Sequence, residues 1–147
     1  MLGSRLVGLI ESRSNELSEG VAEKLRASSR TAEFRNVPQG ELMKAAREVY
    51  SNLSDWLLFK TESDIELRYT KLGSRRAGQG IPLPQLVWAM LMSKEHLLAF
   101  VQREGMVEGP LQVFGELELL QLLDQFFDRA VYFAVTGYSD GAQREAA

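Results

Sequence analysis

Between Leu117 and Ala134 the chain carries Leu117, Leu119, Leu120, Leu123, Phe126, Phe127, Ala130, Val131, Phe133 and Ala134. At about 100° per residue these cover most of the circumference of a helix, leaving only Glu118, Gln121, Gln125, Asp128 and Tyr132 as a narrow polar stripe. One neighbouring helix cannot hide so wide an arc. The segment must therefore be central in a helical bundle or shared with a second subunit. Gly109-Pro110 opens it, and Gly137 offers a stop after Thr136, which makes it about 40 Å long. Four charged residues within it, Glu118, Asp124, Asp128 and Arg129, rule out a membrane span. If the excess face is covered by a second copy, Leu120, Leu123, Phe127, Val131 and Ala134 form the expected homodimer interface.

The rest of the chain repeats the helical period. A first helix is predicted over Arg5–Ala27, with Leu6, Ile10, Leu17, Val21 and Leu25 as its stripe. Ser28–Val37 has no period and reads as a connector. From Pro38 a second helix carries Leu42, Ala46, Val49, Leu53, Trp56 and Leu57 inward. Thr61 with Asp64 is a capping-box pair that opens a third helix, carrying Ile65, Tyr69 and Leu72 inward. Its other side bears Arg68, Lys71 and Arg75, a basic strip that runs into a Gly-rich loop from Gly73 to Gly80. Pro82 and Pro84 force an extended entry, so the next helix begins at Pro84 and stops at Gly105. Leu83, Leu86, Val87, Met90, Leu91, Leu97, Leu98 and Val101 form its apolar face, with Lys94 in the middle of that arc, where an ammonium needs an acid, a polar cavity or a route to solvent.

These elements predict an all-α fold: one domain, a bundle of about five helices over residues 1–137, with 138–147 as a flexible tail. A globin-like arrangement is one candidate. The 147 residues suffice for a single core without staples. With no cysteine, disulfides, thiolate metal sites and thiol catalysis are excluded. A net charge of −3 argues against nucleic acid or an anionic membrane as a partner. The apolar run Leu6–Ile10 is too short for a signal segment, so a soluble cytoplasmic protein is expected.

Candidate ligand contacts are Arg75, Arg76, Trp88, Lys94 and His96. Arg75 and Arg76 stand beside a helix start that lacks a Ser, Thr, Asp or Asn cap, where free amides can face an anion or simply water. His96 is the sole histidine and the one conceivable haem ligand, but it lies roughly opposite the Leu-rich arc, a position that suits a surface or hydrogen-bonded histidine. Lys94 is a ligand anchor or one half of an internal ion pair. No nucleophile elbow, phosphate loop or metal-ligand spacing is present, so no catalysis and no cofactor are expected.

The stretch RAGQGIPLPQLVWAMLMSKEHLLAFVQ resembles the N-terminal domain of the RsbR-type co-antagonist proteins of bacterial stressosomes. Arg76-Ala77, Gly80-Ile81-Pro82-Leu83 and Gln85-Leu86-Val87 carry the likeness, and the spacing from Leu6–Ile10 through Glu41-Leu42 and Trp56 is similar, over roughly Leu6 to Thr136. The resemblance implies an all-helical sensory or regulatory module, usually dimeric, with a protein partner in stress or sigma-factor signalling. Pro84 departs from the polar cap common in that family, and no output domain of the sulfate-transporter/anti-sigma-antagonist type follows Tyr138. Such a chain would then act through a partner, or it is a piece of a longer protein. The alternative reading is a small-molecule- or haem-binding globin-like protein.

Overall fold

A computed structural model describes residues 3–105 and 110–146, all in helices or the short links between them. The elements are α1 (Ser4–Ser12), α2 (Ser14–Ala27), a 3-10 segment (Ser29–Asn36), α3 (Gln39–Tyr50), a π turn (Asp55–Phe59), α4 (Glu62–Gly78), α5 (Leu83–Glu104) and α6 (Pro110–Ala146). The fold is all-α, as the period predicts. Gly109, expected to restart the chain, lies outside the described residues.

The predicted first helix is broken at Arg13, whose backbone (φ −106°, ψ 21°) leaves the helical region. Ser12 donates to the Leu9 carbonyl and Ser18 to the Ser14 carbonyl, bonds that loosen the helical ladder and favour a bend. The bend lets α1 lie on α6 while α2 runs antiparallel along α5. The connector at 28–37 is built rather than loose: Ser28 accepts from the Arg30 amide, and buried Thr31 donates to the Leu25 carbonyl at 2.6 Å. Thr61 and Asp64 make the full reciprocal box, with Oγ1 accepting from the Asp64 amide at 3.2 Å and Oδ2 accepting from the Thr61 amide at 2.8 Å.

The expected second helix stops at Tyr50, with Trp56 and Leu57 in the separate π turn, and two boundaries beyond it move as well. Gly73–Gly80 is not a loop: α4 continues to Gly78, and the reversal comes at Gly80, whose φ of 76° only glycine adopts easily. Nor does α6 stop at Gly137 and leave a flexible tail over 138–147. It runs through Ala146, with the Tyr138 hydroxyl donating to the Ile81 carbonyl at 2.7 Å and Arg144 to Ser74 Oγ at 3.1 Å. Both departures have one cause. α4 and α6 run parallel and so close that a Cβ on Gly73 would overlap the carbonyl oxygen of Ala134, and one on Gly137 the carbonyl oxygen of Thr70. On Gly141 it would come within 2.9 Å of the Ser74 Cα. These glycines mark close approach, not turns.

That contact also hides the apolar arc of the long helix. Leu119, Leu123, Phe126, Phe127, Ala130 and Ala134 are buried by the chain's own helices, α4 on one side and α5 on another. The expected excess is smaller than the helical wheel suggests, because small residues admit a neighbour to backbone distance. Along α5 the buried set is Leu86, Ala89, Met90, Leu97, Phe100 and Val101, and Leu91 turns outward at 39% exposure. The face is rotated from the one expected: Ala89 and Phe100 join it, and Val87 and Leu98 are only half-buried.

Gly73→Ala is expected to destabilise the domain by about 1–3 kcal/mol, because the added methyl must push two backbones apart. Gly8→Ala, where an added Cβ meets nothing within 4 Å, should instead stabilise by about 0.5–1 kcal/mol. Urea midpoints of the two variants test this. Equal shifts in the same direction would refute the close packing of α4 on α6.

Candidate functional site

With one face of α4 committed to α6, its opposite face carries Arg68, Leu72 and Arg75, one turn apart, towards α3. α3 answers with acids at matching spacing. Glu48 accepts from Arg68 Nη1 at 2.9 Å, and Glu41 accepts from Arg75 Nε and, at 3.4 Å, from Arg76 Nη1. Gln79 closes the group, its amide donating to both Glu41 oxygens at 3.2 Å while its own oxygen accepts from Arg76 at 2.8 Å. Arg76 is only 3% exposed, with its guanidinium 6.0 Å from the Phe34 ring. Burial raises the Glu41 carboxyl, but hydrogen bonds from Arg75 and Gln79 and the charge of Arg76 outweigh it, and the net effect is a lowered pKa. Burial likewise pulls Arg76 down, opposed by Glu41.

Arg68, half-buried, lies on the same face. Its Nη2 donates to the Ala45 carbonyl at 2.7 Å, and its guanidinium lies 5.5 Å from the Trp56 ring and 5.6 Å from that of Tyr69. Beneath Arg68 and Arg76 lies a half-open, mostly apolar cavity of about 90 Å³, walled by side chains from α2 through α6, among them Tyr50, Leu86 and Phe127. Burial pushes the phenols of Tyr50 and Tyr69 up, so both are neutral donors at this wall.

The five expected ligand contacts do not converge. Arg75 and Arg76 meet at Glu41, so the anion site expected between them and the start of α5 is already filled by a carboxylate. The amides of Gln85 and Leu86 both bond to the Pro82 carbonyl. Trp88, 38% exposed, stacks under Arg30 at 4.6 Å. Lys94 leaves the apolar arc to reach Asp124 of α6 at 2.5 Å, an ion pair whose carboxylate is 57% exposed at the surface. His96 lies against Gly20, its Nδ1 2.8 Å from Lys24 Nζ, with a further hydrogen bond to the Leu17 backbone. A ring held on both sides in this way is not presented to a haem. Of the expected interface residues, Leu123, Phe127 and Ala134 are buried within the chain, and Leu120 and Val131 are half-buried against its core.

Sequence reading missed Glu41 and Gln79 as site residues and took Arg68 only as part of a basic strip. Only the acids of α3 at positions 41 and 48, two turns apart and mirroring Arg68 and Arg75, carried a signal.

Residues 15–147 match the model of the RsbT co-antagonist protein rsbRD N-terminal domain. The chain belongs to this family. Membership bears out the resemblance carried by Arg76-Ala77 and Gly80-Ile81-Pro82-Leu83, and in this rsbRD-type domain that motif is structural: Arg76 is the buried cation, Gly80 the turn. No curated protein and no solved structure matches the chain. Among the described residues, no helix is long and apolar enough to cross a membrane.

Glu41→Ala leaves Arg76 buried without its carboxylate and should cost about 3 kcal/mol, read as a drop in the urea midpoint. His96 gives a pH test. Burial first, then the charges of Lys24 and Arg103, hold its imidazole below the ordinary 6.5. The unfolded chain therefore binds the proton more readily. Stability from this site is full above pH 6.5 and is lost as pH falls below it. His96→Gln should flatten the fall in stability as pH drops below 6.5, and an unchanged slope would contradict the assignment.

Proposed function

We propose that this chain is a non-catalytic regulatory domain of the bacterial cytoplasm, a homodimer that acts through protein–protein contact in stress or sigma-factor signalling. The observation that carries the reading is the match of residues 15–147 to the N-terminal domain of an RsbT co-antagonist.

The surface of α6 supports the dimer, though not through the residues expected from sequence. Phe114, Leu117 and Tyr132 are 61%, 55% and 64% exposed. Phe114 and Tyr132 are five helical turns apart and share one angular position, with Leu117 offset by about 60°. They span about 27 Å of an exposed side otherwise lined by Gln121, Gln125 and Asp128. An isologous contact pairs such a face with itself, and a long straight helix offers it without rearrangement.

A small-molecule-responsive version of the same role is favoured by the cavity under Arg68 and Arg76. The haem version is disfavoured by the double engagement of His96.

Light scattering should give a dimer at tens of micromolar. Leu117→Glu with Tyr132→Glu should yield a folded monomer, because both side chains are exposed within the subunit. Phe127→Glu should unfold the domain by burying a carboxylate. A wild-type monomer at that concentration, or a folded Phe127→Glu protein, would contradict this placement.

A further inference from the structure

Two hollows meet at a pair of guanidiniums. One is the half-open apolar cavity of about 90 Å³ with walls that include Val49, Leu86, Met90 and Phe127. Outside, between α3 and α4, is a groove of about 360 Å³. Ala45, Arg68, Leu72 and Arg76 line both, so the partition between apolar interior and open groove is made largely of two arginine side chains.

The groove is cationic. Lys44, Arg68, Lys71, Arg75 and Arg76 face it against Glu41 and Glu48, an excess of three positive charges, and neither lysine has an ion-pair partner among the described residues. Arg68 is incomplete as a donor. Its two terminal nitrogens are held by Glu48 and the Ala45 carbonyl, while its buried Nε has no acceptor. A buried charged donor left without an acceptor is costly, and such a group marks a place where an acceptor is missing.

The chemistry of an occupant follows from these three facts. At about 30 Å³ for each water- or methylene-sized group, the interior takes roughly three such groups, and an apolar cavity of this kind favours hydrocarbon over water. The rim calls for a negative charge with an oxygen able to accept from Nε. An inorganic anion satisfies the rim and leaves the cavity empty, a neutral hydrocarbon does the reverse, and a long lipid chain exceeds the space. We infer that this site binds a short-chain organic carboxylate, of about three to five carbons by that volume, with its tail in the cavity and its carboxylate in the groove accepting from Arg68. This goes beyond the regulatory reading and does not depend on it, since the cavity lies within one subunit.

The test is titration of the intact protein with valerate, followed by thermal shift and by the Met90 methyl resonance. Acetate supplies the head without the tail and 1-pentanol the tail without the head. Valerate is expected to raise the melting temperature and move the Met90 signal, while acetate and pentanol at equal concentration do neither. Arg68→Met should weaken valerate binding by about tenfold or more, and Ala46→Leu, which fills the cavity from α3, should abolish it. Circular dichroism checks that each variant is folded. If a variant does not fold, the Met90 response of the wild type to the three probes decides alone. Equal responses to acetate and valerate mean surface anion binding only. Equal responses to pentanol and valerate mean an apolar cavity only. Either result, or silence with all three, overturns the inference while leaving the dimer and partner measurements untouched.

Discussion

The backbone-to-backbone packing of α4 on α6 is the constraint on which the other features depend. Gly73, Gly137 and Gly141 remove side chains where they would collide, and Ala130, Ala134 and Ala77 keep the rest of the seam thin. A glycine inside a helix costs up to about 1 kcal/mol in propensity. The seam offsets that cost by burying large neighbours, because Leu123, Phe126 and Phe127 are drawn into the core alongside it. Phe126 then makes edge contacts with Trp56, Tyr69 and Phe127 at 5.4 to 5.9 Å, tying the π turn, α4 and α6 together.

The charged face of α4 is a consequence of that seam. A helix whose positions 70, 73 and 77 lie against α6 has 68, 72 and 75 on the far side, where α3 supplies Glu41 and Glu48. Arg76, at the edge between the two faces, is carried into the interior and needs Glu41 and Gln79 to be tolerated there. The same geometry leaves a hollow behind the arginines, since α3 approaches α4 through long side chains rather than through glycine. Close packing on one face and loose, charged packing on the other give α4 an unequal environment, which is the kind of element that a bound molecule or a partner can bias.

Much of the fold was legible because it rests on local chemistry. Thr61 and Asp64 announced their helix, Pro82 and Pro84 set the entry to α5, Gly105 set its end, and a lysine at 94 in an apolar arc demanded an acid. What was not legible rests on partners distant in sequence. Glycine signals both a turn and a close approach, and only the position of the second helix tells which, so Gly73 and Gly137 read as breaks. A helical wheel counts apolar residues but not how near a neighbour can come, so the arc of α6 looked too wide to be hidden. Arg75 and Arg76 advertised an anion without revealing that Glu41, 35 residues from Arg76, already occupies them. The family motif was readable for a different reason: Arg76, Gly80 and Ile81 are each held by a buried pair, a positive φ or complete burial, so their identities are tightly set by the fold.

Amide hydrogen exchange along α4 and α6 tests the close seam most directly. If the two helices are one cooperative unit, the amides of residues 69–77 and 123–141 exchange together, at the slowest rates in the molecule, with those of Tyr138 and Gly141 protected as strongly as those of Leu123. Exchange from 137 onward at the rate of an unstructured chain, with 123–134 still protected, would show that α6 ends where its glycine first suggested and that the seam does not hold.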